Sequence, residues 1–432
     1  MGRLRAAPLA ALVALCAAAL GAACAVFPGL RADPQVEAWK DEAARLRGLE
    51  FVEPVRFRLL RPEETSGIVR EELRASYGDD LERYRDAYVA LGTLPRGIDL
   101  VETLLALYEE QLLGLYSPRK RTMYVVADAG AAIAGPIVVH ELVHALQHQH
   151  FGRTLALALA LRRNDDLVSA LGAAMEGDAS LTMLGVANPN GLQRDLPSAE
   201  RISEVFRSGL THPRGVMAEV PVLLRVGLVF PYAEGTMFAA RNYSRGGNAA
   251  LDEALRNAPL STAELYFPEH DPTVEFLELP TRELSQRLAV RGCELGADNV
   301  AGAVTLDALF EQHAGAADRR NLTRAWRGDR FLHVECGATW ELVWFTRWSS
   351  PGAAREFAVA YRAIAGSISE LAPLSGTPTV VLDGRTALVV TPGLLDQVGP
   401  LLEATEIRSY DDFDAWFADA CFPESPCPEL ER

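Results

Sequence analysis

Apolar positions recur at helical spacing through most of residues 34–114: around Val36, Ala38 and Trp39, after Pro62-Glu63-Glu64, over Leu81–Leu91 and over 98–113. Pro95 and Gly97 punctuate the chain before the last of these. The pattern then changes. Leu113 to Tyr116 and Met123-Tyr124-Val125-Val126 are aromatic or branched, and with a turn at 117–121 they predict a β-hairpin. Small residues make 127–135 a loop, after which Gly135-Pro136 opens an apolar helix, with proline suited to the first turn. Residues 164–186 predict another long helix, capped by Asn164, Asp165 and Asp166. Pro189, Pro197 and Pro213 make 187–215 loop-rich, and helices and turns continue to about 280.

The remaining chain has a different rhythm. Strands are predicted at 331–335 and 339–348, a helix at 353–364, and strands at 377–382 and 386–391 joined by Asp383-Gly384-Arg385. At 432 residues the chain exceeds what one core usually organises, so two domains are expected, with the boundary between Pro280 and Gly296. The expected class is α+β: a largely helical region with an edge hairpin at 34–280, then a smaller α+β domain at 290–432.

Composition narrows the function. Hydrophobic residues at 49% and charged residues at 23% describe an ordinary globular chain and exclude a disordered one. A net charge of -16 repels phosphate backbones, so nucleic acid is not an expected partner. Arg3 and Arg5 precede an uncharged Ala/Leu-rich run over 6–23, which reads as a secretory signal peptide at 1–23. A permanent membrane anchor fits less well, given Pro8 and the small residues Gly21-Ala22-Ala23. Cys24 follows those small residues directly and resembles the lipidated cysteine of a bacterial lipobox, although Gly21 stands where leucine is usual. Ordinary cleavage after 23–25 is the alternative. Lipidation leaves 24–33 as a linker and four cysteines: Cys293, Cys336, Cys421 and Cys427. These suit two disulfides outside the cytoplasm, with 293–336 and 421–427 favoured among three connectivities. The expected location is therefore outside the cytoplasm, with the membrane reached through an N-terminal lipid anchor.

Chemistry concentrates in His140-Glu141-Leu142-Val143-His144. Positions i and i+4 share one helix face, so both imidazoles can bind one ion. Zinc suits them, because it takes imidazole nitrogen and leaves a position for water when three protein ligands bind. Glu141, beside the first histidine, is placed to act as general base. The flanking residues are apolar, so the helix is expected to be buried, and buried histidines need partners. Glu176, an acid among Leu167, Val168, Leu171, Met175 and Leu181, is the candidate third ligand. Asp178 is the candidate partner of a zinc-bound imidazole. His148 and His150 continue the spacing, but three successive turns diverge from one tetrahedral ion, so both are expected as helix-end residues. Tyr232, and less so His270, are candidate donors to a developing oxyanion.

The His-Glu-x-x-His pair with a glutamate on a following helix resembles the gluzincin metallopeptidases. Several other stretches resemble a group of exported bacterial proteins of that kind: Gly114-Leu115-Tyr116-Ser117-Pro118, Glu176-Gly177-Asp178-Ala179, Phe230-Pro231-Tyr232 with Gly235, Ser261-Thr262-Ala263-Glu264, and Trp326-Arg327-Gly328-Asp329-Arg330. The resemblance implies a zincin-like core whose edge strand, here the hairpin, precedes the metal helix and pairs with peptide substrate. Two departures stand out. Thermolysin-like gluzincins carry an aspartate three or four residues after the ligand glutamate, whereas Asp178 is closer. Phe267 stands where a histidine precedes proline in the exported group. Two other classes compete with hydrolysis: a protein that keeps zinc for folding, and a lipid-anchored binding or scaffold module.

Overall fold

The computed structural model describes residues 34–420 apart from 78–80, 112–113, 127–130, 161–163, 187–192, 271–272 and 315–318. The expected signal peptide, the 24–33 linker, Cys24, Cys421 and Cys427 lie outside the described residues.

The chain opens with α1 (Pro34–Arg47), β1 (Arg56–Leu60), α2 (Pro62–Tyr77), α3 (Leu81–Leu91) and α4 (Leu100–Gln111). The hairpin follows as β2 (Gly114–Ser117) and β3 (Thr122–Val126). β1 adds to it in parallel, giving the order β1-β3-β2 with β2 at an edge. In β1, Phe57 and Leu59 face the protein while Arg56 and Arg58 are exposed, the period of two that a half-covered strand requires.

Three helices form the centre: α5 (Ala131–Ala160), α6 (Asp165–Leu184) and, after α7 (Leu196–Thr211) and the single turn α8 (Val216–Glu219), α9 (Val222–Arg256). α5 begins before Pro136 and runs beyond the histidines, losing helical geometry at Phe151. The expected loop therefore ends earlier than Gly135, and Pro136 sits inside the helix near its start. α7 corrects the loop expected at 187–215: Pro197 lies in its first turn and Pro213 follows its end, so the prolines mark its limits. α6 is apolar or small on every side, and 17 of its 20 residues are buried, as the middle member of a helical layer must be. α9 is long and apolar enough to cross a membrane, but its apolar stretch is mostly buried inside the protein, as in a core helix.

The chain continues through α10 (Thr262–Tyr266), β4 (Glu275–Glu278), α11 (Thr281–Ala289), β5 (Glu294–Asn299), α12 (Gly302–Ala314) and α13 (Arg319–Ala325). Then come β6 (Trp326–Cys336), β7 (Thr339–Trp348), α14 (Pro351–Leu371), β8 (Thr379–Asp383) and β9 (Thr386–Val390). A 3-10 turn, α15 (Val398–Ala404), β10 (Glu406–Ser409) and α16 (Phe413–Ala420) complete the described chain. An antiparallel sheet runs in the order β5-β6-β7-β9-β8, while β4 pairs with β10. Both faces of the five-stranded sheet are covered, which explains the unbroken apolar runs in its central strands. Leu342, Trp344 and Trp348 point to one face, with Phe357, Tyr361 and Ile364 of α14. Val343 and Phe345 point to the other, with Leu284, Leu288 and Leu401. The first face belongs to the same buried cluster as Tyr88, Leu104, Phe230 and Tyr232, so one core runs from the helical region to the sheet. Cys293 and Cys336 form a disulfide, joining the start of β5 to the end of β6. The architecture is α+β, with a helical core followed by a β-rich region.

Candidate metal centre

α5 and α6 pack side by side, and each brings its unusual polar residues to the shared face. His140 and Glu176 are each 1% exposed, and Glu141 is 4% exposed. Only the side chain of His144, at 11%, reaches partly outward. His140 Nε2 stands 3.1 Å from Glu176 Oε2 and 3.1 Å from His144 Nε2. His144 Nε2 is 3.4 Å from Glu176 Oε1. Ligands at ~2.0–2.1 Å around a tetrahedral ion are separated by about 3.3 Å, so these spacings fit a common zinc ion. The donor set of two imidazoles and a carboxylate is one that suits zinc. Glu176 Oε1, although buried, has no hydrogen-bond partner, as expected of an atom reserved for an ion.

The electrostatics are tightly linked. Burial pushes the Glu176 carboxyl up, but the imidazoles of His144 and His140 outweigh it and hold the group down at about 2. Burial pushes His144 down, and the Glu176 charge reverses this to about 9. Burial raises Glu141 above the usual carboxylate range. The backbone N–H of Tyr116 in β2 donates to Glu141, while Glu141 Oε2 has no partner. β2 passes close: a side chain on Gly114 would stand 2.9 Å from Glu141 Cγ.

The remaining sequence candidates sort clearly. Tyr232, on α9, lies against the His140–His144–Glu176 cluster, its ring centroid 6.2 Å from that of His140. Asp178 does not touch an imidazole. It accepts hydrogen bonds from Gln147 and Arg47, and Gln147 makes the expected contact with His144 at 2.8 Å. The reason is position: Asp178 is two residues beyond Glu176 on a helix, and so points to another side. His148 bonds Tyr116 and His150 bonds the Glu50 carbonyl, so neither joins the cluster. His270 is exposed on a turn. Gln147 and Arg47 were missed, since glutamine and arginine ordinarily read as solvated side chains.

Other singled-out motifs have structural duties, one of them at the start of α6. Ser261 caps α10, and Thr262 hydrogen-bonds Asp166 at the start of α6. Asp329 accepts from the backbone of Ala301 and Gly302 and from the indoles of Trp326 and Trp344.

Residues 289–393 match a family described as Domain of unknown function (DUF8575), a span that contains all five strands of the larger sheet. No curated protein and no solved structure matches the chain.

Proposed function

We propose that this chain is an exported zinc-dependent hydrolase, most simply a metallopeptidase acting on peptide or protein substrates. The observation that carries the reading is the convergence of His140 Nε2, His144 Nε2 and Glu176 on one point, their donor atoms all within 4.8 Å of one another, with a second carboxylate, Glu141, alongside. Zinc held by these three residues would polarise a carbonyl and acidify water. Glu141, whose Oε2 is an unpaired acceptor, would take the proton and return it to the leaving amine. Its partner Tyr116 holds the carboxylate in place from the edge strand. Tyr232 is the candidate donor to the oxyanion, from its place beside His140. The same proposal includes export with a lipid tether at Cys24; the Cys293–Cys336 disulfide supports an oxidising compartment.

One observation favours a second reading, zinc retained for folding: the centre is almost wholly buried, with His144 alone partly open. The test is metal analysis of the purified protein together with digestion of a peptide library, with and without chelator. About one zinc per chain with chelator-sensitive cleavage is the expected result. Zinc without cleavage would select the second reading, and no zinc would end both.

A further inference from the structure

The N-terminal helix enters the metal centre through one arginine. Arg47, in the last turn of α1, is fully buried. Its Nε donates to Asp178 at 2.9 Å, and a terminal nitrogen faces Asp252 of α9. The guanidinium lies 5.7 Å from the ring centroid of Phe151, where α5 loses helical geometry. Arg194 and Asn248 both donate to the neighbouring Leu46 carbonyl, and Gly48 ends the helix at φ 71°. A buried guanidinium is costly unless matched, and here two carboxylates and an aromatic face match it.

The chain of contacts continues to the metal ligand. Gln147 Nε2 donates to Asp178 at 3.0 Å and to the Met175 carbonyl at 2.8 Å. A carboxylate and a carbonyl only accept, so the amide nitrogen must face them and Oε1 must face the other way. Oε1 stands 2.8 Å from His144 Nδ1. An amide oxygen also only accepts, so His144 carries a proton on Nδ1, and Nε2 is the nitrogen turned to the cluster.

We infer that Arg47 is a positioning residue of the metal centre: acting through Asp178 and Gln147, it sets which nitrogen of His144 is offered to zinc. The inference rests on the metal-centre reading above. It makes α1 a component of the site, so loss of its grip weakens metal binding instead of unmasking activity.

The test is a zinc-affinity titration of the full-length protein by chelator competition, with cobalt(II) absorption as a report on ligand geometry. Variants are Gln147→Leu, Arg47→Met and the double change. Each single variant is expected to bind zinc about 10–100-fold more weakly, with an altered cobalt spectrum. The double variant should be no weaker than Gln147→Leu, because both residues act along one path. Should Arg47→Met fail to fold, Arg47→Lys keeps the charge but not the fork, and is expected to show a smaller loss in the same direction. Wild-type zinc affinity in a folded Arg47 variant, or independent additive losses, would overturn the inference while leaving the metal site standing. Absence of zinc from the wild-type protein would remove the metal site itself, and the inference with it.

Discussion

Gly177 and Gly235 touch backbone to backbone where α6 crosses α9. A Cβ on Gly177 would lie 1.9 Å from the Gly235 carbonyl oxygen, and a Cβ on Gly235 would lie 2.0 Å from the Ala173 carbonyl oxygen. No side-chain rotation relieves a clash with backbone, so the helices must separate. Gly177 follows the proposed ligand Glu176 directly, and separation would also displace that carboxylate. Gly177→Ala should therefore destabilise by about 3 kcal/mol or more and weaken zinc binding. Gly209→Ala, where nothing lies within 4 Å, should be neutral or mildly stabilising, by at most ~1 kcal/mol. Urea unfolding of the two variants makes the comparison; equal effects would refute the close crossing.

His144→Ala removes one of three donors. Zinc affinity should fall by more than the ~10–100-fold expected for a supporting residue, and hydrolysis should disappear. Equal zinc content in the variant and the parent, measured by elemental analysis, would show that His144 is not a ligand.

Glu141→Gln separates binding from chemistry. Glu141 is beside the proposed ligands but not among them, so zinc content should be retained. Hydrolysis should fall by ~10²–10⁴-fold, the usual contribution of a general base. Steady-state cleavage of a peptide found in the library digest is the measurement. Undiminished turnover would place the proton acceptor elsewhere.

The cluster was readable because histidine and glutamate on an apolar helix have no cheap alternative to a partner. His140, His144 and Glu176 therefore stood out before any contact was known. What supports them did not. Arg47 and Gln147 belong to residue types that normally face water, and only the packing of α1 on α5 and α6 buries them. The β1 strand was also overlooked, although Arg56-Phe57-Arg58-Leu59 alternates, because helical spacing dominates on both sides of it. The hairpin, the central strands and α14 were legible from their apolar periods. β5 was not, since Glu294-Leu295-Gly296-Ala297-Asp298-Asn299 has little apolar signal and owes its strand form to pairing with β6.

The Cys293–Cys336 bridge closes a loop spanning 43 positions in sequence. By the loop-entropy argument, a closure of that length contributes roughly 4 kcal/mol at most. Because β5 and β6 are already paired, the double change to alanine should leave the fold intact and lower stability by about 2–4 kcal/mol. Thermal unfolding of parent and variant checks this. Parent protein treated with reductant should shift in the same direction, and a variant as stable as the parent would contradict it.

His333 supplies the pH dependence. It lies in β6 with no exposed surface, and neither ring nitrogen has a hydrogen-bond partner. Trp340 packs edge-on against it at 4.9 Å, Gly296 and Glu335 lie beside it, and Asp86 acts on it only at longer range. Burial depresses its pKa to about 4. An unfolded histidine titrates near ~6.5, so the unfolded chain takes up the proton first as pH falls. The contribution is complete above that range and is lost between about 6.5 and 4, for a total of roughly 3 kcal/mol. Several buried acids work in the opposite direction, Asp165 and Asp166 among them. Burial raises Asp165 to about 7 and Asp166 to about 6, so their folded forms hold protons that the unfolded chain releases, and acidification over the same range favours folding. The net curve therefore conceals the histidine, and the informative quantity is a difference. His333→Phe removes the titrating ring but keeps an aromatic body. Its stability relative to the parent should improve steadily as pH drops from 7 to 4.5 in urea unfolding. A difference that stays constant across that range would mean His333 is protonated alike in both states, contrary to its burial.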